Sequence, residues 1–190
     1  MDLHELPIVL ASHSPSRRLL FEQVGLSFEV MVSGVDETVE PNLSPEETVE
    51  ILSKRKADAV SVHCPEKAVV AADSMVSLGS RLLGKPDGPA GAREMLHMLS
   101  GRTHRLVTGV CIQYRGREKL FHCVTEVEFF PLTDAEIDEY VASGEPIGKA
   151  GSYGIEGRGI QLIRSIHGDY ANIVGIPIGQ VVRELRRIIR

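Results

Sequence analysis

The sequence contains few cysteines and no excess of positive charge. Its three cysteines, Cys64, Cys111 and Cys123, are too few and too scattered for a disulfide framework, and no Cys-x-x-Cys pair indicates a zinc or redox site. We predict that these cysteines are reduced and structural. The net charge of −5 argues against general polyanion binding, such as coating of nucleic acid, so phosphate chemistry is expected only in a local basic pocket.

The sequence also lacks long hydrophobic runs. No stretch of eighteen or more apolar residues is present, which argues against a membrane-spanning helix. The first seven residues lack the basic region and the apolar stretch of a secretory signal, so a cytoplasmic location is the simplest prediction. The 190 residues are 43% hydrophobic and 25% charged, which predicts one globular domain over residues 1–190.

Apolar segments and helix-start signals alternate along the chain and predict strands interspersed with helices. Strands are predicted around residues 8–11 and 28–32 and over the apolar run 68–72. Ser and Thr capping signals and N-terminal prolines predict helices that begin near residues 15, 45, 89, 134 and 177. Alternating segments on both sides of Arg115-Gly116-Arg117 predict an antiparallel hairpin, which makes the sheet mixed.

The junction between the first strand and the first helix carries two serines and two arginines, in Ser12-x-Ser14-Pro-x-Arg17-Arg18. At a helix N-terminus, backbone N–H groups, hydroxyls and guanidinium groups can converge on one anion, so the segment predicts a phosphate site. The alternative is that Ser14 and Pro15 only cap the helix while both arginines lie in solvent. The segment alone leaves both interpretations open.

Two acidic residues are candidates for cation binding. Asp73 is predicted to end the apolar strand that contains residues 68–72, where a carboxylate must be paired, hydrogen-bonded or bound to a cation. It could instead cap the following turn. Glu37 taken alone is an ordinary surface acid, and Asp73 is its natural partner in a metal site.

Two lysines and a glycine-rich run are weaker candidates. Lys56 and Lys85 can each bind phosphate if a neighbouring glycine or proline fixes them, although a lone lysine is usually solvated. The run 151–159 lacks the spacing of a Walker loop or a dinucleotide fingerprint, but it could wrap closely around a base or ribose. The seven histidines show no metal-ligand spacing and are predicted to be structural or surface residues.

Eight short motifs are spread over nearly the whole chain. They are Leu10-Ala-Ser-His-Ser-Pro-Ser-Arg-Arg, Val35-Asp-Glu, Lys56-Ala, Ala72-Asp-Ser, Gly84-Lys-Pro, Leu99-Ser-Gly-x-x-His104, Thr108-Gly and Ala150-Gly-x-Tyr-x-Ile-x-Gly. In this order they resemble the motifs of the Maf family of nucleotide pyrophosphatases. Each motif is weak by itself, and the resemblance depends on all eight occurring in register.

The resemblance implies an elongated, two-lobed α/β fold shared with inosine triphosphate pyrophosphatases, with a central mixed sheet flanked by helices and a nucleotide in the cleft. It implies hydrolysis of a nucleoside triphosphate to monophosphate and diphosphate, by attack of water at the α-phosphorus. Asp73 is the implied proton acceptor, and Glu37 with Asp73 the implied ligands of a Mg, Mn or Co ion. The implied phosphate-binding residues are Ser12, Ser14, Arg17, Lys56 and Lys85. A homodimer is also implied.

Three positions depart from the family patterns that accompany base preference. Members that act on dTTP and UTP usually have Arg, Thr and Gln where this chain has Ser16, Ser74 and Glu156, whereas members that act on 7-methyl-GTP share the Glu. A carboxylate accepts hydrogen bonds from a guanine-type N–H edge, while Gln offers a donor and an acceptor to a pyrimidine. The sequence therefore favours a modified purine triphosphate as the substrate, with dTTP and UTP as the alternative.

Two other functions compete with the pyrophosphatase. A non-catalytic nucleotide-binding regulator of cell division would bind without turnover, as the family's historical name for septum inhibition suggests. A phosphatase would release orthophosphate as its first product. Under the leading hypothesis, the enzyme removes surplus or modified nucleotides, and neither a nucleic acid nor a membrane is an expected partner.

Overall fold

The computed structural model describes residues 3–40 and 42–190, which form an α/β fold with a mixed seven-stranded sheet. The strands are β1 (Ile8–Leu10), β2 (Phe28–Val30), β3 (Ala68–Leu78), β4 (Arg81–Leu83), β5 (Thr103–Tyr114), β6 (Arg117–Phe129) and β7 (Ile163–His167). The helices are α1 (Pro15–Gln23), α2 (Pro45–Ser61), α3 (Gly88–Leu99), α4 (Asp134–Ala142), α5 (Tyr170–Val174) and α6 (Ile178–Ile188). The predicted α/β class with a mixed sheet is confirmed.

The strand order is β2-β1-β3-β5-β6-β7, with β4 paired to β3 off this path. Strand β1 is parallel to both β2 and β3, whereas the pairs β3–β4 and β6–β7 are antiparallel. A two-residue turn joins β5 to β6, and both of its residues have positive φ, 47° at Arg115 and 78° at Gly116. This is the turn geometry that matches the twist of a hairpin, and the predicted hairpin is confirmed.

Three of the predicted helix starts, those of α1, α2 and α4, are confirmed by their caps. The Ser14 hydroxyl accepts a hydrogen bond from the N–H of Arg17 at the start of α1. At α2, Ser44 and Glu47 form a reciprocal capping box, and Thr133 and Glu136 form another at α4. Because these caps satisfy N–H groups that the helix itself leaves unpaired, local sequence was sufficient to place them.

Strand β3 corrects one sequence-based expectation. Asp73 was expected at the end of the strand, yet β3 continues to Leu78. Its first part pairs with β1 through residues 68–70, and its last part pairs with β4 through residues 76–78. The antiparallel partner β4 extends the strand beyond the apolar run, so Asp73 lies inside β3.

The chain divides into two compact units. The first unit takes in the described residues of Met1–Asp73, Thr108–Cys123 and Gly175–Arg190, and the second unit takes in Ser74–Val107 and Val124–Val174. One core cluster, which includes Val9, Ala57, Val69 and Cys111, belongs to the first unit. Another, which includes Leu96, Phe129 and Tyr140, belongs to the second unit. The single domain over residues 1–190 stays a prediction.

The cysteines, the apolarity of the helices and the arginines of the last helix can now be described. The thiols of Cys64, Cys111 and Cys123 are free. Within the described part of the chain, no helix combines the length and the apolarity that crossing a bilayer requires. The arginines of the last helix and its end are exposed, as expected for a solvated helix face; they are Arg183, Arg186, Arg187 and Arg190.

Candidate active site

The N-terminus of α1 gathers the two predicted phosphate-binding serines. Ser12 follows β1 and is 6% exposed, and its hydroxyl accepts a hydrogen bond of 3.2 Å from the N–H of Ser14. The Ser14 hydroxyl in turn caps α1 by accepting from the N–H of Arg17 at 3.3 Å. The capping interpretation of Ser14 is therefore confirmed, and its hydroxyl still lies at a positive helix end where an anion is stabilised.

Arg17 is not the solvated side chain of the alternative interpretation. Its Nε donates to the Gly175 carbonyl at 2.8 Å, and one terminal nitrogen donates to the Ala72 carbonyl at 2.7 Å and to the Ser12 hydroxyl at 3.2 Å. Burial lowers the pKa of Arg17, and the negative charges of Asp73 and Glu37 partly oppose that shift. The guanidinium is thus fixed close to the carboxyl groups, with its planar fork held by backbone carbonyls.

Lys56 bridges the two predicted acidic residues. Its Nζ lies 2.6 Å from Oδ1 of Asp73 and 2.8 Å from Oε1 of Glu37. The side chains of Lys56 and Asp73 are each 13% exposed, whereas that of Glu37 is 59% exposed. Helix α2 supplies the lysine, β3 supplies the aspartate, and the segment after β2 supplies the glutamate. The structure therefore brings these three residues together within the first unit.

The donor set of this cluster suits a hard divalent cation. Two carboxylates already share one ammonium group, so their combined negative charge attracts a cation to the same place. No group of three or more His, Cys, Asp or Glu side chains that could enclose a metal occurs within residues 3–40 and 42–190. A pair of carboxylates such as Glu37 and Asp73 still fits Mg²⁺ or Mn²⁺. Mg²⁺ in particular needs only one or two carboxylates when water or phosphate oxygens complete its coordination.

The remaining predicted residues are Ser16, which lies in α1 of the first unit, and Ser74, Lys85 and Glu156, which lie in the second unit. Ser74 follows Asp73 in β3, and the exposed Lys85 lies in the loop between β4 and α3. That loop is joined to the glycine-rich segment, because the N–H of Gly151 donates to the Gly84 carbonyl at 3.0 Å. Gly151 has a φ of 68°, and a Cβ placed there would lie 2.9 Å from the Val76 side chain. The loop of Lys85 and the glycine-rich segment are thus neighbours.

An aromatic cluster anchors the start of the glycine-rich segment. Tyr153 is 5% exposed, its hydroxyl lies 2.9 Å from Nε2 of His104, and both rings pack edge-on against Phe129. Burial lowers the pKa of His104 to about 4, so its imidazole is neutral at neutral pH. The structural role predicted for this histidine is consistent with its burial. Glu156 lies on the exposed part of the segment that follows.

Sequence reasoning missed two parts of this arrangement. The Gly175 carbonyl, which holds Arg17, lies 158 residues further along the chain, and no local pattern links them. The carboxylate of Glu145 and the hydroxyl of Tyr140 hydrogen-bond to the glycine-rich segment. The Glu145-Pro146 pair, a few residues before the glycine-rich run, was the available signal for the second feature.

Comparisons with solved structures find chains of low sequence identity to this one. A HAM1 protein from Coxiella burnetii matches with a TM-score of 0.49 at 18% identity, over 97% of this chain and 98% of that chain. A nucleoside-triphosphatase, also described as a dITP/XTP pyrophosphatase, from Mycobacterium abscessus matches with a TM-score of 0.47 at 17% identity, over 97% of each chain.

The sequence comparisons are much stronger. A dTTP/UTP pyrophosphatase of Bacillus cereus strain AH820 is 48% identical over 180 residues, which cover 95% of this chain and 94% of that protein. A Bacillus anthracis protein of the same name gives the same identity and coverage. A family model described as Maf-like protein matches residues 7–188. With that match and the cluster of Lys56, Glu37 and Asp73 in place, the chain belongs to the Maf family.

Proposed function

We propose that this protein is a nucleoside triphosphate pyrophosphatase that hydrolyses its substrate to the monophosphate and diphosphate. The observation that carries the proposal is the cluster in which Lys56 bridges Glu37 and Asp73 close to the buried guanidinium of Arg17. Acidic and basic side chains at one place can neutralise a polyphosphate and bind a cation together. The two Bacillus relatives at 48% identity, both named dTTP/UTP pyrophosphatase, support the same activity.

Glu37 and Asp73 are the proposed ligands of a divalent cation such as Mg²⁺, Mn²⁺ or Co²⁺. When bound, the ion neutralises charge on the phosphate oxygens and lowers the barrier to attack at phosphorus. In the proposed reaction, a water oxygen forms a bond to the α-phosphorus and the bond to the β-phosphate oxygen breaks. Asp73 takes the proton of the attacking water, and diphosphate leaves.

The remaining residues are proposed to hold the phosphates. Arg17, Lys56 and Lys85 carry the positive charge, and the hydroxyls of Ser12 and Ser14 sit at the N-terminus of α1. Because Arg17 is anchored on two backbone carbonyls, its position is set before substrate binds. Fixed charges of this kind stabilise a transition state better than mobile ones, since no reorganisation is needed during the reaction.

The proposed substrates are dTTP and UTP, the nucleotides named for the Bacillus relatives. The second candidate is 7-methyl-GTP, because Glu156 is a carboxylate at a position where pyrimidine-specific members usually have Gln, and it accepts hydrogen bonds from a guanine-type edge. Ser16, Ser74 and Glu156 are the proposed determinants of this choice. The base preference inferred from Glu156 stays a prediction.

The proposal is tested with a panel of dTTP, UTP, CTP, GTP and 7-methyl-GTP, with and without divalent metal, by measuring diphosphate and orthophosphate separately. We expect diphosphate, only when metal is present, and highest with dTTP or UTP. Asp73→Asn should reduce kcat at least a hundredfold, because the proton acceptor is lost while side-chain size is conserved. Circular dichroism should show that this variant folds.

Other outcomes would identify the competing functions. Orthophosphate as the first product would indicate a phosphatase, and tight nucleotide binding without turnover would indicate a regulatory module. Wild-type turnover by Asp73→Asn would contradict the mechanism. The homodimer and the cytoplasmic location are likewise proposals, and light scattering of the purified protein measures the first directly.

A further inference from the structure

The carboxylate of Glu145 accepts hydrogen bonds from the backbone of the glycine-rich segment. Its Oε2 accepts the N–H of Arg158 at 2.8 Å, and its Oε1 accepts the N–H of Gly159 at 3.0 Å and the hydroxyl of Tyr140 at 2.9 Å. The Tyr140 oxygen in turn accepts the N–H of Gly154 at 3.1 Å. A buried tyrosine and one carboxylate thus hold both ends of the segment 154–159.

The segment fits closely around this pair of side chains. A Cβ on Gly157 would lie 2.4 Å from Oε2 of Glu145, and a Cβ on Gly159 would lie 2.7 Å from the Tyr140 hydroxyl. Both glycines are therefore needed for the backbone to approach the two oxygens, whatever their conformational freedom. At Gly159 the segment's own backbone adds to this requirement, because a Cβ there would also lie 2.5 Å from the Gly154 carbonyl oxygen.

Glu145 remains ionised in this position. Burial alone would raise its pKa, but the N–H groups of Gly159 and Arg158 and the Tyr140 hydroxyl outweigh that effect and lower it. Both carboxylate oxygens are used as acceptors. An amide at the same position would turn an N–H donor toward a backbone N–H donor, so even an isosteric change disrupts the arrangement.

The held segment carries Glu156. Ile155, the preceding residue, is 3% exposed and packs in the core, and the N–H groups held by Glu145 follow at residues 158 and 159. The backbone of Glu156 is therefore fixed from both sides while its side chain points to the exposed surface. A recognition group must be held to within a fraction of an ångström to discriminate between bases.

We infer that Glu145, assisted by Tyr140, is a positioning residue that fixes Glu156 for recognition of the nucleotide base. The inference rests on the proposed pyrophosphatase function and on the specificity role proposed for Glu156. Glu145 itself is not proposed to contact the reacting phosphates. Its loss should therefore affect discrimination between bases and KM, and leave kcat on the best substrate nearly unchanged.

The test compares Glu145→Gln with Glu136→Gln. Glu136 is a matched control because its carboxylate, at the start of α4, the helix that carries Tyr140, also accepts a backbone N–H and a hydroxyl, both from Thr133. The ratio of kcat/KM between the best and the poorest triphosphate of the panel is measured for both variants and the wild type. We expect Glu145→Gln to compress this ratio about tenfold, mainly through KM, the size expected from losing one charged hydrogen bond. Glu136→Gln should change it less than about twofold.

Several outcomes decide the inference. If Glu145→Gln folds and keeps the wild-type ratio, or if kcat falls equally for every base, Glu145 does not position a base-reading group. If Glu145→Gln does not fold, Tyr140→Phe decides, and it must compress the ratio by a smaller factor. A wild-type protein that releases no diphosphate from any triphosphate would contradict the proposed function itself, which distinguishes that failure from a failure of the inference.

Discussion

Lys56 lies between the two proposed metal ligands. Its ammonium group contacts carboxylate oxygens of Asp73 and Glu37 at 2.6 and 2.8 Å, and it compensates the charge of Asp73 inside β3. If Glu37 and Asp73 are the metal ligands, as proposed, an ion binding between the same oxygens would displace the lysine toward the phosphates. At the scale of single residues, we therefore predict that Lys56 competes with the metal before substrate binds.

This competition predicts the effect of Lys56→Met. Removing the ammonium should raise the affinity for Mn²⁺ in the absence of nucleotide by about tenfold, because the two carboxylates lose the cation that they now share. The gain is limited to this size because solvent screens the charge of Glu37. The same variant should lose most of its pyrophosphatase activity. Isothermal titration calorimetry with Mn²⁺ measures the first effect independently of turnover.

Lys54 provides the control for that experiment. It lies on the same helix, but pairs with Asp58 and Glu118 and is 41% exposed. Lys54→Met should leave both Mn²⁺ affinity and activity near the wild-type values. Equal Mn²⁺ affinity in Lys56→Met and the wild type would show that the lysine and the metal do not share the two carboxylates.

At the scale of elements, helix α2 is positioned by its contact with strand β5. A Cβ on Gly109 would lie 2.3 Å from the carbonyl oxygen of Val49 and 2.4 Å from its carbonyl carbon, so only glycine allows this approach. This close contact sets the distance between α2 and β5, and α2 carries Lys56. The Thr108-Gly pair of the family motifs therefore has a packing role.

Gly109→Ala should lower the free energy of unfolding by about 3 kcal/mol or more, because the methyl group meets backbone atoms that have no room to shift. The control is Gly179→Ala in α6, where nothing lies within 4 Å of the added Cβ. That change should be neutral or stabilise the protein by up to about 1 kcal/mol, as expected for Gly to Ala in a helix. Urea unfolding measures both, and similar values for the two variants would refute the close packing.

Short elements explain most of what the sequence missed at this scale. Strand β4 has three residues and α5 has five, too few for a hydrophobic period to appear. The continuation of β3 beyond Asp73 depended on β4, a partner that was itself not predicted. In contrast, α1, α2 and α4 begin with caps made within four residues, and all three starts were predicted.

At the scale of the whole molecule, stability depends on a neutral histidine buried in the second unit. His104 is 1% exposed, and burial lowers its pKa to about 4 in the folded protein, compared with about 6.5 in an unfolded chain. As the pH falls, the unfolded state takes up the proton before the folded state does. The contribution of His104 to the free energy of unfolding is therefore fully present above pH 6.5. This contribution is lost as the pH falls from 6.5 toward 4.

Comparison of the wild type with His104→Gln tests this dependence. Between pH 7.5 and pH 5, the wild type should lose about 2 kcal/mol more of its free energy of unfolding than the variant. Glutamine keeps a hydrogen-bonding group near Tyr153 without titrating in this range. Urea unfolding at both pH values gives the two differences, and His63→Gln, which changes an exposed histidine, should behave as the wild type does. Equal losses in the wild type and His104→Gln would contradict the assignment.

The sequence by itself determined the α/β class, the main helix starts, the hairpin and the identity of the candidate chemical groups. These depend on caps, turns and apolar periods that act over a few residues. Only the tertiary structure decided that Lys56 bridges Glu37 and Asp73, that Arg17 is anchored on Ala72 and Gly175, and that Glu145 holds the glycine-rich segment. Such contacts join residues far apart in the chain, and their geometry is set by the packing of whole elements, for which no local pattern exists.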